Sequence, residues 1–191
     1  MESSKKLAIL ASAIHLSAYA AYNTAALRGV SEPNLVPWFI WGLMAVLNNA
    51  TYKAETGDQV KAMLTTAGSV ASMATFVIAL AMGGMFNSIS AVNTIALAIG
   101  VCAVLVWKLG SAKYANRCIL IAVVAGFVPF YKVLWMNPSA EPPLAWVLWA
   151  ISTTLNVVVV GIRAHKQSDF VMPASLALLH LVTLALIFRP F

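Results

Sequence analysis

The chain has 191 residues, 61% of them hydrophobic and only 9% charged, with a mean hydropathy of +0.86 and a net charge of +6. A soluble domain carries about 25% charged residues, so a water-soluble core is excluded as the destination of this much apolar side chain, and the composition points to lipid. Two cysteines, Cys102 and Cys118, are too few for a disulfide framework, and no cluster has metal-ligand spacing.

Seven stretches are long enough to cross a hydrocarbon core of about 30 Å at about 1.5 Å per residue. They run from Leu7 to Leu27, Leu35 to Tyr52, Ala62 to Gly83, Ile89 to Trp107, Cys118 to Trp135, Pro143 to Ile162 and Phe170 to Phe188. The first follows Lys5 and Lys6 and is 21 residues long. A signal peptide's apolar region is about 7–15 residues, so this stretch reads as a retained span. The fifth carries Lys132 near its end, and the other six are free of Asp, Glu, Lys and Arg. Connections are short and leave no room for a separate soluble domain.

Basic residues are distributed unevenly between the two ends of these spans. Side A, where the chain begins, holds nine: Lys5, Lys6, Lys53, Lys61, Lys108, Lys113, Arg117, Arg163 and Lys166. Side B holds three: Arg28, Lys132 and Arg189. The positive-inside rule makes side A cytoplasmic. The expected localisation is a cell (inner) membrane, with the N-terminus inside and the C-terminus outside. This anchoring accounts for the positive charge, so no nucleic-acid partner is expected.

Spans 2 and 6 say nearly the same thing. "EPNLVPWFIWGLMAVLN" (32–48) and "EPPLAWVLWAISTTLN" (141–156) share Glu-Pro-x-Leu, Trp-x-x-Trp and Leu-Asn. Both enter the membrane from side B, so the copies are parallel. A directly duplicated three-span unit would be inverted, and one additional span restores its orientation. The expectation is therefore an all-α membrane protein with seven transmembrane helices in a 3+1+3 layout. Residues 1–85 form the first three-helix bundle, 86–113 the linker helix, and 114–191 the second bundle. A slide of 109 residues sets Tyr22 on Tyr131 and Glu32-Pro33 on Glu141-Pro142, whereas Trp-x-x-Trp needs 108. A parallel repeat about an axis along the membrane normal places a pathway between its units. A receptor holding its ligand in the same cleft is equally compatible.

The layout, the "PWFIWGLMAVLNNATY" of span 2 and the "VPFYK" closing span 5 resemble the SWEET/PQ-loop superfamily of small-solute transporters. Pnu-type vitamin transporters, with the same layout and tryptophan-asparagine motifs, are similar as well. The resemblance implies a 3+1+3 fold and passage of a small solute, sugar-like in the first family and vitamin- or nucleoside-like in the second. The chain has no Pro-Gln dipeptide.

Trp38, Trp41, Ala45 and Asn48 share one helix face, and Trp146, Trp149, Thr153 and Asn156 repeat it. Indoles offer flat contact to a ring, and an amide offers both donors and an acceptor. The six Trp and Asn residues are the candidate substrate site. For Trp38 and Trp146 an interfacial aromatic belt is the competing role. For Asn48 and Asn156 it is hydrogen bonding between helices. Tyr22, Pro129, Tyr131 and Lys132 are read as gate or hinge positions, with snorkelling to the headgroups as the alternative for Lys132. His15 and His180 are the two side chains able to titrate within spans. All six acidic residues lie outside the spans, which disfavours a carboxylate proton relay and favours facilitated diffusion. No catalytic constellation, cofactor or metal is expected. The partners are a small solute and the bilayer, with a homo-oligomer left open.

Overall fold

The computed structural model describes residues 2–30, 35–83 and 91–190. Glu32 and Pro33 of the first motif copy, and the expected start of the fourth span at Ile89, lie outside them. Among the described residues there are seven α-helices: α1 (Glu2–Leu27), α2 (Leu35–Thr56), α3 (Met63–Ala81), α4 (Ala91–Lys108), α5 (Ala112–Met136), α6 (Pro143–Arg163) and α7 (Val171–Ile187). Two 3-10 turns, Pro138–Ala140 and Gln167–Phe170, precede α6 and α7.

Helix ends follow local chemistry. Ser111 caps α5, its hydroxyl accepting from the Tyr114 N–H. Past α2, Gly57 takes a φ of +64° and its N–H donates to the Lys53 carbonyl at 2.9 Å. Asp58 then accepts from the Val60 and Lys61 N–H groups, turning the chain into α3. At the other end, Pro143 sits in the first turn of α6, where its missing N–H has no helical partner to lose.

Side chains are distributed in the reverse of a soluble domain. Ile9, Leu16, Val46, Val70, Val77, Ile95, Val101, Ile121, Val128, Ile151, Val158 and Leu178 are exposed, while Ser12, His15, Asn48, Thr51, Ser72, Thr75, Asn116, Ser152, Thr153 and Asn156 are buried. Apolar surface on every helix fits lipid and would associate in water. Inside, hydroxyls donate back to their own helices, as Thr75 does to Ala71 O, Thr153 to Trp149 O and Thr183 to Leu179 O.

Among the described residues, four stretches are long and apolar enough to cross a membrane: Met63–Ala81, Ala112–Met136, Pro143–Arg163 and Gln167–Ile187. This is fewer than the seven expected from the sequence. In α1, serines, His15 and tyrosines dilute the apolar run behind Lys5 and Lys6. In α2, Asn48, Asn49 and the tryptophans do the same, and of α4 the described side chains give one apolar stretch, Leu97–Lys108.

α1 packs on α3 and α6, α2 packs on α3 and α5, and α7 packs on α5 and α6. Exchanging α1 with α5, α2 with α6 and α3 with α7 maps this set of contacts onto itself. α4 stands outside the exchange and lies against α5 and α2.

Candidate functional site

A cavity of about 120 Å³ lies between these six helices, and among the described residues α4 contributes nothing to its lining. An apolar cavity of about 150 Å³ holds one benzene, so the space is that of roughly one ring.

Sixteen of the nineteen lining residues fall into eight pairs separated by 108 positions. α1 and α5 contribute His15 with Val123 and Tyr19 with Phe127. α2 and α6 contribute Trp38 with Trp146, Trp41 with Trp149 and Ala45 with Thr153. α3 and α7 contribute Leu64 with Met172, Gly68 with Leu176 and Ser72 with His180. Met44, Asn48 and Thr65 complete the wall without a counterpart in it.

The ring contacts repeat in the same register. Tyr22 lies 4.9 Å from Trp38, and Phe130 stacks on Trp146 at 5.0 Å. Tyr19 meets Trp149 at 5.0 Å, and Phe127 meets Trp41 at 5.3 Å. Trp38–Trp41 and Trp146–Trp149 stand edge-on at 5.5 and 4.9 Å. Tyr22 is therefore matched by Phe130 rather than by Tyr131. The 109-residue match of Glu-Pro-x-Leu runs to Leu35 with Leu144, and the offset is 108 again at Trp38 with Trp146.

Trp38 and Trp146 are buried, at 4% and 3% exposure, so both are interior residues and not an interfacial belt. Trp38 Nε1 donates to Tyr22 Oη at 3.2 Å, and Trp146 Nε1 donates to Glu141 Oε2 at 3.0 Å. Trp149 is equally buried and its N–H has no acceptor among the described residues. Asn48 lines the cavity and its Oδ1 accepts from Asn116 Nδ2 at 2.9 Å, tying α2 to α5. Asn156 is buried but is not part of the lining. Asn49 Oδ1 accepts from the Thr65 and Thr66 hydroxyls and joins α2 to α3.

Both candidate histidines reach the cavity. His15 Nδ1 is 2.8 Å from Ser152 Oγ, and His180 Nδ1 is 3.2 Å from Thr153 Oγ1. His180 also stacks on Trp149 with an interplanar angle of 22°. Gly68 makes room for His15, since a Cβ there would stand 3.0 Å from Nε2. The gate and hinge candidates lie off the wall. Tyr131 Oη donates to Leu179 O at 2.7 Å, linking α5 to α7. Pro129 is inside α5, and Lys132 is exposed.

Sequence reasoning missed Tyr19 and Phe127. A 108-residue slide applied along the whole chain brings Tyr19 onto Phe127, and that signal was available.

Just before α6, burial pushes the Glu141 carboxyl up to about 7, against the opposing effect of the Trp146 N–H. On side A, partial burial works against the charge of Asp58. The Arg163 guanidinium and the Lys61 and Val60 N–H groups outweigh it and hold the carboxyl below its ordinary value.

No family model, curated protein or solved structure matches the chain.

Proposed function

We propose that the chain is a multi-pass membrane carrier of the 3+1+3 kind, with a solute pathway between two parallel three-helix units joined by α4. The observation that carries this reading is the cavity wall, built from equivalent positions of both units at one constant offset of 108 residues. A repeat axis through a cavity gives a solute equivalent contacts from either side, which suits alternating exposure to the two faces of a membrane. The SWEET/PQ-loop and Pnu-type resemblances agree with this layout.

The solute is small, neutral and built around one flat ring. No Asp, Glu, Lys or Arg lines the cavity among the described residues. Four indoles and two further aromatic rings supply its walls. The polar groups are largely engaged within the protein: Asn48 with Asn116, His15 with Ser152, and Thr153 with its own helix and His180. A sugar in this space would leave several hydroxyls unpaired, at about 1–3 kcal/mol each. A heterocycle of the vitamin or nucleobase kind, with one or two polar atoms, would not. Facilitated diffusion follows from the lack of a carboxylate relay in the spans.

The test is flux of labelled pyridines, pyrimidines and monosaccharides into proteoliposomes without an ion gradient. Downhill uptake of a heterocycle supports the carrier. Saturable binding without uptake would replace it with a receptor that uses the same cleft. Tags at both ends, probed in intact cells, test the proposed cytoplasmic N-terminus and external C-terminus.

A further inference from the structure

We propose that a buried ion pair, Lys61 with Asp169, is the closed gate of the cavity on side A, and that it opens by taking up water. The inference rests on the carrier reading for its purpose, though not for its test.

Lys61 stands just before α3, and Asp169 lies in the 3-10 turn before α7. Their Nζ and Oδ2 atoms are 2.7 Å apart, and each side chain is 1% exposed. Leu64 and Thr65 of the cavity wall follow Lys61 by three and four residues, and Met172 follows Asp169 by three. The pair thus sits about one helical turn, roughly 5 Å, beyond the cavity. It crosses from one unit to the other, between positions separated by the same 108 residues that relate the two walls. Around it, Arg163 Nε meets Asp58 Oδ2 at 2.7 Å, and Lys166 Nζ donates to Glu55 O at 3.1 Å. All these contacts join the end of α2 and the turn before α3 to the end of α6 and the turn before α7.

A pair buried this deeply is a poor fastener. Desolvating two charges costs about as much as their attraction returns, and an apolar pair of similar volume would hold the helices as well or better. What ions provide is a low cost of parting, because each is well solvated once water reaches it. The closed state is also left short of bonds. Asp169 Oδ1 and both carboxylate oxygens of Glu55 are buried without a hydrogen-bond donor among the described residues, and Arg117 stands 3.7 Å from Glu55 Oε1. Water entering from side A would satisfy all of these groups. A permanent staple would gain nothing from that.

The experiment places a cysteine at Ala45 in the cavity, in a chain whose Cys102 and Cys118 are replaced by alanine. Its labelling by a membrane-impermeant thiol reagent is timed from side A. Lys61→Asp should raise the labelling rate about tenfold or more, because two carboxylates then face each other without water. Exchanging the charges, Lys61→Asp with Asp169→Lys, should return it to near the parent rate. Lys61→Met with Asp169→Leu should slow labelling about tenfold while the melting temperature holds or rises, because an apolar seal does not hydrate. If Lys61→Asp does not fold, the Met/Leu variant still decides. Unchanged labelling at a retained melting temperature makes the pair a staple and overturns the gate. Labelling that responds as expected, in a protein that moves no solute, keeps the gate and removes the carrier.

Discussion

The two halves of the wall are alike in shape and unlike in chemistry. Trp38 and Trp41 stand where Trp146 and Trp149 stand, and each half packs an aromatic ring from its first helix against them. The polar groups do not repeat. The first half offers Tyr19, Tyr22 and His15 where the second has Phe127, Phe130 and Val123, while His180 stands opposite Ser72. An indole scaffold is set by volume and tolerates little change, whereas a hydroxyl or imidazole can move across the axis without disturbing the packing. The comparison teaches that a flat occupant of the cavity would meet two similar faces but only one set of hydrogen-bonding edges, and should bind in one orientation.

The severest test of this comparison is tryptophan removal. Trp149 is buried among Tyr19, Trp38, Trp146 and His180, and Trp149→Ala should cost about 3–5 kcal/mol in detergent denaturation. Trp41 is only half-buried and its alanine variant should cost about half as much. Equal costs would mean that the wall is symmetric in energy as well as in position.

The next effect is confined to the start of α6. Glu141 has a carboxyl raised to about 7 in the fold, so it binds a proton more readily folded than unfolded. Its contribution is fully present below the unfolded pKa of about 4.3 and is lost as pH rises through about 7. Glu141→Gln should therefore raise stability at pH 8, by at most about 4 kcal/mol, and change little at pH 4. Melting curves across this range should show the parent losing stability where the variant does not.

Smaller effects separate the two asparagines. Asn48→Ala leaves Thr51 Oγ1, at 3.2 Å, as the one remaining acceptor of the buried Asn116 Nδ2 and should cost about 1–3 kcal/mol. Asn156→Ala should leave solute affinity within about twofold of the parent, because Asn156 is outside the cavity wall. A tenfold loss of affinity, measured by titration beside melting, would return Asn156 to the site.

The smallest is on side A. Asp58 is held below its ordinary range, so its contribution is present above the unfolded pKa of about 3.9 and is lost as pH falls through the lowered folded value. The pair with Arg163 is partly exposed, at 19% and 15%, and Arg163→Ala should cost about 1 kcal/mol at pH 7 and less in acid. Acid denaturation of the two proteins should converge at low pH.

The helices and the paired tryptophans were legible because apolar runs and Trp-x-x-Trp are local patterns. Asn48 and Asn156 read as equals in the sequence, yet only one has a neighbour such as Asn116 to draw it into a bonded wall. That difference lies in α5, far along the chain. The Glu-Pro pair suggested a 109-residue register for the first helix, because a match in a connecting segment does not fix the register of the helix before it. Ring packing tolerates no such slip, and Tyr19 with Phe127 reveals 108. Lys61 and Asp169 looked like ordinary loop charges because nothing local shows that two turns will close over each other.

Those turns have one more consequence. At three successive equivalent positions the halves carry opposite signs: Glu55 against Arg163, Asp58 against Lys166, and Lys61 against Asp169. Two copies of the first half, brought together as the two halves are, would set lysine against lysine at the buried centre, and two copies of the second would set aspartate against aspartate. Each half is therefore barred from mating with itself and fitted to the other. Severed between α3 and α5 and produced as separate polypeptides, the halves should reassemble only as a mixed pair.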